Sequence, residues 1–345
     1  MKRRRVAVLM GGRSSEHPIS VASARSVVAA LDPERYDVVE IEISRDGRWA
    51  LPSGPVRKAL EPGTVPVTDR PQLPVPATST DVASTLAEVE VVLPILHGPF
   101  GEDGRLQGVL EMADVPYVGA DHSASALCMD KDLFKAVMRD QGIPVTKNLT
   151  LRNGAIPDNP FGYPVFVKPA RLGSSVGITK AHDEEELRAG IALAFEHDEK
   201  VLVEEFVPGV EVEVGVLGNR HPIASLVGEI EVTHNEWYDW SAKYDDGEMD
   251  LIVPARITPE QTLRVQQLAV QAFVATECEG MARADCFVRE DGEVLVNELN
   301  TIPGFTATSV YAKLFEASGL PYPQLLDRLI DLALERHERR SKLRY

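Results

Sequence analysis

Residues Arg283 to Gly304 carry the densest set of side chains that could do chemistry. Apolar-rich runs flank Asp291-Gly292, and Asp-Gly between such runs signals a two-residue hairpin turn. That turn sets Glu290 opposite Glu293 and, farther out, Asp285 opposite Glu298 and Arg283 opposite Asn300. Side chains alternate faces along a strand, so these four project to one side. Two facing carboxylates repel each other unless a hard cation lies between them. Mg²⁺ takes one or two carboxylates together with substrate phosphates. Taken alone, the pattern also fits a surface hairpin with scattered charges. What the rest of the chain places around it decides between the two.

A second set of groups lies on glycine-rich loops. Val6 to Met10 is a short apolar run, followed by Gly11-Gly12 and a helical pattern from Ile19 to Leu31. Pro18 suits the first turn of that helix. Strand, glycine turn and helix open a doubly wound parallel sheet. The full G-x-G-x-x-G is missing, so a nicotinamide-dependent oxidoreductase has only this turn in its favour. Glu16 falls at the helix start, either as a local stabiliser there or as the receiver of a substrate ammonium. Glu90 to Leu96 reads as a strand covered on both faces. It ends in His97-Gly-Pro-Phe-Gly-Glu102-Asp-Gly, which puts His97 and Glu102 at the same carboxyl edge of the sheet. Later, Phe161 to Val167 leads into Lys168-Pro and then Gly173-Ser174-Ser175-Val176-Gly177. Small residues around two hydroxyls let backbone N–H groups approach phosphate oxygens. The lysine precedes this loop, unlike a Walker A lysine. A kinase has its glycine loop before its lysine, the reverse of the order here.

The remaining elements must position these groups. Val38–Ile43 and Val115–Val118 read as strands, and Ser123–Gln141 as one helix on which Lys131 is ordinarily a solvated position. Asp183 to Glu186 is a capping box opening a helix to His197. Strands follow over 201–207, 211–217 and 223–232. Residues 236–247 form a long polar-aromatic loop, the kind that serves as a lid. Thr258-Pro-Glu-Gln261 caps a helix to about Thr276. A helix over Thr306–Ser318 has Ser309 near its start, and an amphipathic helix spans Pro323–Glu338. The Pro-rich stretch 52–80 reads as a surface excursion with no nameable chemistry.

Composition narrows the class. A chain of 345 residues exceeds one ordinary core, so two or three domains are expected. The formal charge of −17 argues against a general nucleic-acid surface. The three cysteines show no CxxC spacing, so neither zinc nor a disulfide framework is expected. No apolar stretch approaches a membrane span, and the basic start leads straight into a strand-like run. A cytoplasmic enzyme is the expectation. The basic ends, Lys2–Arg5 and Arg336–Arg344, read as solvated.

Strand-Lys-Pro, Gly-Ser-Ser-Val-Gly, Glu204-Glu-Phe-Val207 and Arg283-x-Asp285…Asn297-Glu-Leu-Asn-Thr-Ile-Pro-Gly304 together resemble the ATP-grasp ligases. Gly11-Gly-Arg-Ser-Ser-Glu-His17, the 97–104 loop and Tyr238-Asp-Trp-Ser-Ala-Lys-Tyr244 narrow the resemblance to the D-alanine–D-alanine ligase family, from about Val6 to Leu332. The resemblance implies a mixed α/β and α+β fold: an N-terminal doubly wound parallel-sheet domain (1–121), then a two-part ATP-grasp fold, central (122–210) and C-terminal (211–345). ATP lies between the last two parts. By motif position, Lys131 and Lys168 hold its phosphates under Ser174, Ser175 and Val176. Glu204, Glu205, Phe206, Val207 and Glu211 line the adenosine pocket. Asp285, Glu298 and Asn300 hold two Mg²⁺ ions, with Mn²⁺ as a substitute, and Asn297 and Lys243 complete the nucleotide site. Glu16 and His97 receive the first D-alanine, and Ser309 and Val310 receive the second. Arg283 and the Gly304 N–H stabilise the oxyanion, and Ser174 links Glu16 to Tyr244. In the family, Tyr at that lid position accompanies an amine nucleophile and Phe accompanies D-lactate. The implied partners are small molecules, ATP and D-alanine, with no nucleic acid and no membrane, in a homodimer. Ligases joining D-alanine to D-lactate or D-serine share the fold, and a nucleotide-binding regulator without turnover is the non-enzymatic alternative. Pro18 and Ser241 depart from residues common in the family.

Overall fold

The computed structural model describes residues 2–51, 75–76, 84–152, 158–232 and 249–344. The expected lid, with Lys243 and Tyr244, and nearly all of the Pro-rich excursion lie outside the described residues.

The first sheet is built from β1 (Arg4–Gly11), β2 (Tyr36–Ile43), β3 (Trp49–Leu51), β4 (Val75–Pro76) and β5 (Val91–Pro94), in the order β4-β3-β2-β1-β5. β1 runs parallel to both β2 and β5, while β3 and β4 extend the edge antiparallel. Val6 and Val8 face α1 (His17–Ala30), whereas Ala7 and Leu9 share a core with Leu106 and Leu110 of α2 (Arg105–Met112). Burial on both faces is why β1 shows no polar alternation.

Three expectations for the flanking segments are corrected. Val115–Val118 is not a regular strand: it makes a single parallel bridge, Tyr117 to Val92. The carbonyls of Tyr117 and Gly119 accept instead from the guanidinium of Arg336, 2.7 Å from Tyr117 O. Arg336, expected to be solvated, is therefore buried, and its cation also stacks on the Tyr117 ring. The single helix over Ser123–Gln141 is two, α3 (His122–Met129) and α4 (Lys131–Asp140). They break at Asp130, which is extended and caps α4 by accepting the Leu133 N–H. Lys200 Nζ holds both oxygens of Asp130 at 2.5 and 2.6 Å.

The central sheet contains β6 (Asn148–Leu151), β7 (Val165–Pro169), β8 (Thr179–Ala181) and β9 (Val201–Glu205), antiparallel in the order β6-β9-β7-β8. Leu187, Ile191 and Ala194 of α5 (Glu184–His197) pack on Val165, Val167 and Val203. Asp183 caps this helix through the Glu186 N–H, but the Glu186 carboxylate accepts from the His182 N–H, so only half of the expected box forms.

The third sheet contains β10 (Gly209–Gly218), β11 (Ile223–Val232), β12 (Met249–Ile252), β13 (Gly280–Arg289) and β14 (Val294–Asn300), antiparallel in the order β12-β11-β10-β13-β14. α6 (Pro259–Ala275) packs on it and opens with the expected capping box of Thr258 and Gln261. Phe134 and Met138 of α4 join the same core. α7 (Val310–Ala317) and α8 (Tyr322–Arg340) end the described chain. Leu325, Leu329 and Ile330 of α8 share a core with Val8 and Leu93, so the last helix closes on the first sheet.

β13 and β14 pair Asp285 with Glu298 and Arg283 with Asn300, as expected. The turn is not the expected one. Val288 faces Val294, and Arg289 N–H donates to Glu293 O, leaving residues 290–292 as the loop with Gly292 at φ +90°. A bulge then adds one residue to β14 between Val296 and Glu298 and restores the expected pairing.

Candidate active site

The central and third sheets enclose a cavity of about 430 Å³. Its walls include Lys131, Lys168, Ser174, Ser175, Glu204–Val207, Glu211, Asp285, Asn297 and Glu298. Asn297 and Glu298 are adjacent in sequence yet line the same cavity, because the bulge breaks the alternation that would turn one of them away.

Three lysines converge on two glutamates at one side of this cavity. Glu204 is buried between Lys168 Nζ at 2.5 Å and Lys135 Nζ at 3.0 Å. Burial alone would raise the pKa of Glu204, but Lys135 and Lys168 overcome it and hold the carboxyl down to about 2. Desolvation lowers the pKa of Lys135, which is fully buried, even against the attraction of Glu204. Lys131 lies 3.0 Å from Glu298 Oε2 and donates to Leu172 O at 3.0 Å. Desolvation works to lower the pKa of Lys131, but Glu298 outweighs it and the net shift is upward. Glu205 accepts the Lys147 N–H and pairs with Arg289. Phe206 stands 6.3 Å from Phe166, ring to ring, at the cavity wall.

Arg283 donates from Nε and Nη2 to both oxygens of Asp285, each at 2.7 Å, and Nε also lies 2.9 Å from Glu213 Oε2. Asn300 donates Nδ2 to Asp285 at 3.0 Å, which leaves its carbonyl oxygen for another partner. A smaller pocket beside the main cavity is lined by Asn300, Glu298, Lys131, Gly173 and Glu102.

The loop over 173–177 reaches the first sheet. Ser174 and Ser175 have φ of +50° and +60°, and Val176 N–H returns to Gly173 O at 3.3 Å, a left-handed turn unusual for residues with a Cβ. In this conformation the Ser174 hydroxyl donates to Glu16 Oε1. Glu16 is buried, and it approaches so closely that a Cβ on Gly98 would lie 2.4 Å from Oε2. Gly98 is also at φ +71°, so both space and conformation require glycine there. His97 Nδ1 donates to Ile302 O at 3.0 Å, leaving Nε2 to accept from the Ser23 hydroxyl at 3.2 Å. Desolvation lowers its pKa, in part offset by the charge of Glu16. Both ring nitrogens are thus engaged by protein. Glu102 is pushed up to about 8 by desolvation first and then by Glu16.

Gly304 follows this region, and Ser309 precedes α7. Ser309 Oγ accepts the Thr306 N–H at 2.9 Å and makes no cap bond to its own helix. The first N–H groups of α7, beginning at Val310, therefore have no side-chain cap among the described residues.

Three contributors escaped the sequence reasoning. Lys135 lies one turn after Lys131, a spacing that puts both on one helix face. Glu213 is in register with Asp285 across β10 and β13, which strand pairing alone would show. Lys200 acts at a distance, through Asp130, and no local pattern marks it.

Known proteins resemble this chain in sequence and fold. Profiles described as D-ala D-ala ligase N-terminus and C-terminus match residues 5–120 and 137–331. A D-alanine–D-alanine ligase of Geobacillus thermodenitrificans is 42% identical, covering 99% of this chain and 98% of its own length. D-alanine–D-alanine ligase A of Escherichia coli is 42% identical, covering 98% and 97%. Among solved structures, the D-alanine–D-alanine ligase of Coxiella burnetii superposes with a TM-score of 0.78 at 36% identity, covering 99% and 98% of the two chains. The VanG D-Ala:D-Ser ligase of Enterococcus faecalis gives 0.79 at 36% identity, covering 96% and 100%. A Bacillus anthracis D-alanine–D-alanine ligase complexed with ATP gives 0.77 at 26%, covering 98% and 99%. Two profiles spanning most of the sequence, with full-length relatives behind them, establish that this chain belongs to the D-alanine–D-alanine ligase family.

Proposed function

We propose that this chain joins two D-alanines at the expense of ATP, releasing ADP and phosphate. The observation that carries this reading is the hydrogen bond from Ser174 to Glu16. It sets a buried carboxylate suited to an ammonium directly against the loop suited to phosphate. An amino acid held there by its ammonium would present its own carboxylate to the nucleotide.

Lys131 and Lys168 would hold the phosphates under Ser174, Ser175 and Val176, with the base among Glu204, Glu205, Phe206, Val207 and Glu211, Asn297 lying alongside. The donor set suits Mg²⁺ or Mn²⁺, all of it hard oxygens: two carboxylates, Asp285 and Glu298, on the main cavity, and the carbonyl of Asn300 on the smaller pocket that Glu298 shares. Bound there, the metal would neutralise charge on the transferring phosphoryl group.

The carboxylate of the first D-alanine attacks the γ-phosphorus of ATP, and ADP leaves. The amine of the second D-alanine then attacks the carbonyl of the resulting acyl phosphate, and phosphate leaves. Arg283 and the Gly304 N–H would stabilise the oxyanion. Ser309 and the uncapped N-terminus of α7 at Val310 would receive the second carboxylate. His97 would act beside Glu16 by position, because its two nitrogens hold Ile302 and Ser23. Lys243 and Tyr244 belong to the loop that would exclude water from the acyl phosphate. The reading carries with it a division at 1–121, 122–210 and 211–345, a homodimer, and a cytoplasmic site where ATP and amino acids meet.

The test is the release of phosphate from ATP with and without D-alanine, with mass spectrometry of the product. Phosphate release dependent on D-alanine, with D-alanyl-D-alanine formed, supports the reading. Release independent of D-alanine overturns it. Likeness to a D-Ala:D-Ser ligase makes D-serine the competitor to include.

A further inference from the structure

His97 and Glu102 belong to one loop and grip a single residue of another. His97 Nδ1 donates to the Ile302 carbonyl at 3.0 Å, and the Ile302 N–H donates to Glu102 Oε2 at 3.3 Å. The other carboxylate oxygen of Glu102 accepts the Gly98 N–H at 2.9 Å, tying the loop to itself. The loop is fixed in turn to the start of the chain: Ser14 donates to His97 O at 2.7 Å, and Ser23 donates to the ring. Both polar backbone groups of Ile302 are thus held from the first sheet, although Ile302 lies 200 residues beyond Glu102. The Ile302 side chain is buried in the core that also contains Ile95 and Phe305. Held by side chain and backbone alike, Ile302 fixes the start of the segment that runs through Pro303 to Gly304.

We propose that Glu102 is a positioning residue for amide formation, holding Ile302 so that the Gly304 N–H stays aimed at the oxyanion. The proposal rests on the reading of Gly304 given above. A carboxyl group suits this task because each of its two oxygens meets one N–H donor, from Gly98 and Ile302, whereas an amide has only one acceptor oxygen. Glu16 and Lys131 are the charged neighbours that bear on it. Its place in the smaller pocket with Lys131, Glu298 and Asn300 sets it between the phosphate-holding groups and the Gly304 segment.

The experiment compares Glu102→Ala and Glu102→Gln in the full chain. It measures kcat for dipeptide formation, KM for ATP, and hydrogen exchange at the Ile302 amide. Loss of one oxyanion-hole donor costs about 10²–10³ in kcat, so a misaimed donor is expected to cost about 10- to 100-fold. Glu102→Ala should show that loss, keep KM for ATP within about 2-fold, and exchange faster at Ile302. Glu102→Gln should fall between it and the parent chain, and it carries the same readouts if the alanine variant does not fold. An unchanged kcat, a KM for ATP that rises as far as kcat falls, or unchanged exchange at Ile302 would each overturn the proposal. If the parent chain joins no D-alanine, the functional reading fails, and exchange at Ile302 alone then judges the contact.

Discussion

Lys131 Nζ stands 3.0 Å from Glu298 Oε2, which joins the first residue of α4 to β14 at the cavity wall. Glu298 thus faces one cation of the protein while lying opposite the carboxylate of Asp285. A divalent ion would bind in competition with, or alongside, that lysine. Glu298→Gln is expected to leave the fold intact by thermal unfolding, raise the Mg²⁺ needed for half-maximal activity and lower turnover. Changes around a metal's ligands cost about 10–100-fold, and loss of a ligand should reach at least the upper figure. Unchanged activity at limiting Mg²⁺ would remove Glu298 from the metal site.

Glu16 should report on the first substrate. Its carboxylate accepts from Ser174, and its other oxygen lies close against Gly98. Glu16→Gln is expected to weaken D-alanine binding by about 10- to 100-fold, the range of a hydrogen bond to a charged group, with ATP binding little changed. Calorimetric titration with each ligand separates the two. Equal losses would mean general damage to the domain contact.

Glu204 should make the fold sensitive to acid. Its pKa is about 2 in the folded chain against an ordinary 4.5. The unfolded chain binds the extra proton in that window, so stability from this group is present above about pH 4.5 and is lost as pH falls through about 2. The difference corresponds to about 3 kcal/mol at most. Denaturant unfolding across this range should show the slope, and the Lys135→Met/Glu204→Gln pair should flatten it. Lys135→Met alone is expected to cost about 3–5 kcal/mol, because it strips one partner from a buried ion pair.

Tyr244 bears on the second substrate through its lid motif. Tyr244→Phe is expected to shift product toward D-alanyl-D-lactate when D-alanine and D-lactate compete at neutral pH. A hydroxyl that loses its partners costs about 1–3 kcal/mol, enough to read by mass spectrometry of the product ratio. An unchanged ratio would refute the role.

Much of this was legible because it depends on local pattern. The Val6–Met10 run, the Thr258 box and the facing of Asp285 and Glu298 all follow from spacing. The last of these came out right through two offsetting differences: a longer turn and a bulge. The buried lysines were not legible. On a helix, Lys131 and Lys135 look like solvated positions, and partners far off in sequence, chiefly Glu298 of β14 and Glu204 of β9, make them otherwise. Arg336 was misread for the same reason, since its partners are carbonyls of Tyr117 and Gly119, far off in sequence. The break at Asp130 hid inside a continuous helical pattern, because an N-cap aspartate differs from a helical one only in its backbone.

The extra residue in β14 divides that strand into two phases. Before it, Val294 and Val296 belong to the core; after it, Leu299 does, so the inward positions change from even to odd. The extra residue is what lets two neighbouring side chains, Asn297 and Glu298, open on the same cavity. A strand lacking Asn297 would alternate regularly from Val296 through Glu298 to Leu299, so Glu298 would still stand opposite Asp285 while one polar side chain was lost from the cavity wall. The bulge therefore adds a cavity group without moving the carboxylates off each other.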